Sequence, residues 1–142
     1  MPKGDEWAVF KYEWDMARNL SRVIAENEWE LWDQWCKNAI VESLVLHTRI
    51  LTAILLSEGR ADDIKVKEVI PGFESAHVDA LRAAYGADVE GTPHWQFNKL
   101  LAHATIHRSE GHEYLPALKA VSPHIMRIME DVRRTNPPVN FP

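Results

Sequence analysis

Cysteine is almost missing from this 142-residue chain, with Cys36 alone, which excludes an internal disulfide framework and a cysteine-rich zinc module. Long apolar runs are missing too: the longest uncharged one, 50–57, is far shorter than the roughly 20 residues that cross a bilayer. Residues 1–20 carry Lys3, Asp5, Glu6, Lys11, Glu13, Asp15 and Arg18, so no apolar signal-peptide core is present. The expectation is a cytoplasmic protein with no membrane partner. Positive charge is in deficit, 16 Lys+Arg against 21 Asp+Glu for a net charge of −5, which argues against a broad DNA-binding surface while leaving room for a local basic cleft. Low-complexity tracts, internal repeats and linkers are lacking. One domain is therefore expected over 1–142, with 136–142 as a tail, large enough to bury about two thirds of its unfolded surface.

What is present is helical periodicity. Over 5–26 the residues Trp7, Phe10, Trp14, Ala17, Leu20 and Ile24 recur every three or four positions. Asn27 offers an N-cap with Glu30 completing a capping box, and Trp29, Trp32, Cys36, Ile40, Ser43, His47, Ile50 and Ile54 continue one stripe to Gly59. This predicts a long central helix of about 45 Å, paired with the first in an antiparallel hairpin that turns near Asn27. Residues 60–72 read as an extended connector, and 74–85 as a third helix with Val78, Leu81 and Tyr85 inward. Thr92 and Pro93 start a fourth that ends near Gly111; Ser122 and Pro123 start the last, which stops at Asn136-Pro137-Pro138. The expected fold is all-α, a four- to five-helix up-and-down bundle.

Histidines supply the candidate chemistry. His103 and His107 are four apart, so they share a helix face at a spacing suited to two metal ligands. His47 lies on the apolar stripe of the long helix, where an imidazole needs a partner. The three together form a candidate site for a divalent transition metal such as zinc or nickel between two helices. A polar set shares these helices: Glu42, His47 and Arg49 on the first, Asn98, Lys99, His103, Thr105 and Arg108 on the second. It reads either as a catalytic or anion-binding pocket, with a histidine as acid or base, or as an interhelical hydrogen-bond network. Five of six tryptophans fall within residues 1–35. Trp29, Trp32 and Trp35 cover more of the helix than one core face requires, which suits either hairpin packing or a homodimer through the Trp-rich N-terminal helices.

Asn38-Ala39-Ile40-Val41-Glu42-Ser43, Leu46-His47-Thr48-Arg49 and Asp62-Asp63-Ile64, with Asn98, Lys99, His103, Thr105 and Arg108, resemble an uncharacterised group of small bacterial helical proteins. The likeness covers 38–64 and 98–108 and implies a fold without an established activity. The arrangement is also similar to the HEPN superfamily, four-helix bundles that often dimerise and include ribonuclease toxins. That resemblance implies an RNA-associated or dimeric interaction domain, with Asn98, Lys99 and His103 at the catalytic motif. The motif's arginine is replaced here by Asn98, and a lysine does not reproduce a guanidinium's planar fork. His47, His103 and His107 further resemble the ligand placement of DinB-type metal-binding bundles, which is the alternative reading.

Overall fold

The computed structural model describes residues 5–26, 28–102, 114–138 and 141. Among them every regular element is helical: α1 (Glu6–Ala25), α2 (Gln34–Leu55), α3 (Val66–Val69), α4 (Val78–Tyr85), α5 (Pro93–Ala102) and α6 (Leu115–Arg133), with a 3-10 turn at Trp29–Leu31. The all-α expectation holds. α2 packs against α1, α5 and α6, while α4 packs on α6 and α5.

α1 forms for the reasons its sequence states. Asp5 caps it by accepting from the Ala8 amide at 3.1 Å, and Phe10 and Ala17 are buried on its inner face. The chain then turns back. The long helix is shorter than expected: 28–33 form the 3-10 turn and a bend, and α2 starts only after Asp33. Its 22 residues span about 33 Å. Asn27 lies outside the described residues, so its predicted cap does too. By length and mean hydropathy, 1.3 over its most apolar stretch, α2 also qualifies as a helix able to cross a bilayer. Here Leu44, Val45, Leu51 and Leu55 are buried against other helices.

Past α2 the expected connector contains a helix. Val66 and Val69, three apart, are both buried, so one turn of helix points both inward where a strand would split them. The Asp-Asp segment before it has a structural use. Gly59 has φ of +119°, and an added Cβ would meet Asp63 Oδ2 at 2.6 Å; that same oxygen accepts from the Arg60 amide at 2.7 Å. α4 starts later than predicted, because Ser75 is held in a turn, donating to Asp131 Oδ2 at 2.6 Å and accepting from the His77 amide.

Thr92 does cap α5, its hydroxyl accepting from the Trp95 amide at 3.2 Å. The predicted end near Gly111 falls in 103–113, outside the described residues. The last helix begins seven residues earlier than Ser122, at Leu115, with Pro123 in its interior. Ala117, Leu118 and Val121 continue the buried face of Ile125, Ile128, Met129 and Val132, so ending the helix at Pro123 would forfeit that burial. Pro123 and Lys119 are both exposed, so the carbonyl that the proline cannot serve lies on the solvent side of the helix. The segment after α6 is more than a tail, since Phe141 sets its ring against Trp7 and Phe10 at 5.3 and 5.5 Å.

Candidate functional site

A close polar contact joins α1 to α2. His47 Nδ1 lies 2.6 Å from Glu13 Oε2, and each side chain is 9% exposed. An ionised carboxylate only accepts, so toward such a Glu13 it is Nδ1 that donates. Tyr12 meets the imidazole edge-on, centroids 5.5 Å apart, and shields it from solvent. The sequence reading identified His47 and its need for a partner but missed Glu13. The signal was present: Glu13 falls three after Phe10 and four before Ala17, on the apolar stripe of α1, where a carboxylate requires a buried complement.

Arg49, two residues from His47, serves another face, as a rotation of about 200° along the helix requires. Its charge acts on Tyr85, whose ring stacks on His94 with centroids 4.4 Å apart and planes 14° from parallel. His94 Nδ1 lies 3.0 Å from the Gly86 carbonyl oxygen, which can only accept, so Nδ1 is the donor in this contact. Gly86 reaches this position with φ of +78°, closing α4. Burial pushes the Tyr85 phenol up to about 12; Arg49 opposes the rise, and Asp88 and Glu58 add to it.

Asn98, one turn beyond His94, donates to Asp88 Oδ2 at 3.1 Å, and its own Oδ1 is buried without a hydrogen-bond partner among the described residues. Lys99 turns its ammonium over Trp95, 5.7 Å from the ring centroid. Glu42 is half-buried, on the side of α2 that Arg49 occupies by its seven-residue spacing. The predicted polar set is thus distributed: His47 engages α1, Arg49 and Asn98 border a second cluster with Tyr85, Asp88 and His94, and Lys99 covers an indole. His103, Thr105, His107 and Arg108 lie outside the described residues. Among the described residues no three His, Cys, Asp or Glu side chains converge as a metal-binding group. Tyr85, Asp88 and His94 were not singled out as site residues, although His94 and Asn98 at i and i+4 mark one face of α5.

The aromatic-rich hairpin divides between core and surface. Trp29 is buried, its ring 5.6 Å from that of Trp32, whereas Trp35 is 72% and Leu31 83% exposed. The chain matches no family model, no curated protein and no solved structure.

The Tyr85 environment makes stability depend on pH in the alkaline range. The unfolded phenol ionises near 10.0 and the folded one at about 12, so the folded state retains the proton between them. This contribution is complete below pH 10 and is lost as pH rises to about 12. Phenolate absorbance should show a late step near pH 12 that is missing in Tyr85→Phe; a Tyr85 step at the ordinary position would contradict the assignment.

Proposed function

We propose that this chain is a helical interaction domain, HEPN-like in arrangement, that self-associates through the outer face of the α1–α2 hairpin and has weak or no catalysis. The observation that carries this reading is an uncharged stripe along α2. Trp35, Ala39, Ser43 and Leu46 follow one another at three- and four-residue spacing with no charge among them, over about 17 Å of helix. Trp35 at 72% and Leu46 at 38% exposure leave much of it open, and Leu31 and Trp32 extend it at the turn. Tyr12 and Val9, one turn apart on α1, are 54% and 45% exposed, with Tyr12 against His47 next to Leu46. Such aromatic-centred, charge-depleted surfaces mark interface cores.

A second copy suits this stripe. It offers no charge pattern to select a different protein, and a two-fold pairing lays the indole end of one chain on the Leu46 and Tyr12 end of the other. RNA association, implied by the HEPN likeness and the set Glu42, His47, Arg49, Asn98, Lys99, His103 and Arg108, ranks behind it because acidic residues outnumber basic ones. Sedimentation at micromolar concentration should give twice the 16.3 kDa chain mass. Trp35→Glu and Leu46→Glu should each return it to a monomer without loss of helical circular dichroism. A wild-type chain sedimenting as a single monomeric species would overturn the reading.

The second reading is a metal-binding bundle using His47, His103 and His107. Glu13 favours it, because a carboxylate on Nδ1 orients an imidazole to present Nε2 to a metal. Zinc or nickel binding should then be lost in His47→Ala and weakened about 10- to 100-fold in Glu13→Gln. Unchanged affinity in both variants would remove this reading.

A further inference from the structure

The segment after α6 is held at one point. Thr135 still belongs to the helix end, its amide and hydroxyl both donating to the Val132 carbonyl. Beyond it, among the described residues, the hydrogen bonds and ring contacts that reach another element are those of Phe141. The Phe141 ring meets Trp7 edge-on at 5.3 Å, with planes 80° apart, and Phe10 at 5.5 Å. Phe10 is fully buried and Trp7 half-buried at the margin of the core, so the ring covers an aromatic seat at the start of α1. The Phe141 amide donates to the Pro138 carbonyl at 2.9 Å, closing a turn that presents the ring. Asn136 and Pro138 themselves are exposed.

The hinge works against this docking. Asn136 has φ of +58°, in the left-handed region that side chains disfavour and asparagine tolerates best. Its successor is Pro137, and a proline pushes the residue before it toward extended backbone. Pro137 and Pro138 have φ fixed by their rings, so a rotation at Asn136 carries them as a lever. One docked ring therefore holds a backbone that relaxes away from the seat when freed. From these features we propose that 136–141 is a sprung strap: Phe141 latches it over Trp7 and Phe10, and rotation at Asn136 lifts it and uncovers the seat. A seat vacated in this way accepts the same segment supplied in trans. Trp7 and Val9, two residues apart on α1, are turned about 200° from each other, so the strap and the self-association stripe occupy different faces and the two proposals stand or fall separately.

The probe is a capped peptide of residues 137–142, titrated into the full chain up to millimolar concentration, the effective concentration that a short leash confers. Nuclear magnetic resonance of the Trp7 indole N–H, assigned by its loss in Trp7→Phe, reports occupancy of the seat. In Phe141→Ala the peptide should shift that signal as it binds. Wild type should bind it at least about fivefold more weakly, because the peptide finds only chains whose strap has lifted. Asn136→Val, at an exposed position where a β-branched residue resists positive φ, should approach the affinity of Phe141→Ala. Both variants should keep the helical circular dichroism of wild type. Equal binding to wild type and Phe141→Ala, no Trp7 shift in Phe141→Ala, or wild-type behaviour of Asn136→Val would each overturn the proposal.

Discussion

One buried contact between Glu13 and His47 sets how the first two helices meet. Hydrophobic burial along α1 and α2 is strong but tolerant of sliding, because apolar side chains pack on one another without direction. A carboxylate and an imidazole at 2.6 Å, both nearly excluded from water, are not tolerant. A slip of one turn would leave each without its partner, at a cost of several kcal/mol. The pair therefore fixes the register of the hairpin, as a buried polar residue fixes register in a coiled coil. With the register set, Tyr12 falls over the imidazole, and the indole of Trp29 is buried at the turn while those of Trp32 and Trp35 are left in contact with solvent.

The other face of α2 depends on that same rotation. With His47 turned to α1, Arg49 is directed to the cluster of Tyr85, Asp88 and His94, and the uncharged residues Trp35, Ala39, Ser43 and Leu46 occupy the arc left over. One helix thus carries three surfaces: a fastened one, a polar one and an open apolar one. The open arc is the surface proposed above for self-association. The polar arc holds Glu42 and Arg49.

Much of the fold is legible in the sequence, because its cues are local. The 3.6-residue stripe of α1, the Thr92 cap and the hairpin near Asn27 each follow from neighbours in the chain. Two of the misreadings share one cause. Burial supplied by distant elements decides where α6 begins, carrying the helix through Pro123 because Ala117, Leu118 and Val121 have a core to enter. It also curls 66–69 into a helical turn that buries Val66 and Val69 together. The site was half legible. His47 announced its need for a partner, but the partner lies 34 residues away on another helix, and no spacing rule connects the two. Asp63 looked like part of a motif and proves to be the residue that holds the Gly59 loop.

The claim on which all of this rests is that Glu13 and His47 stabilise the hairpin as a pair. Urea unfolding of Glu13→Leu, His47→Leu and the double variant tests it directly. Each single change should cost about 3–5 kcal/mol, because it leaves an uncompensated buried group. The double change should cost far less than their sum, since two apolar side chains then face each other. Strictly additive losses would show that the two side chains act independently and would contradict the account.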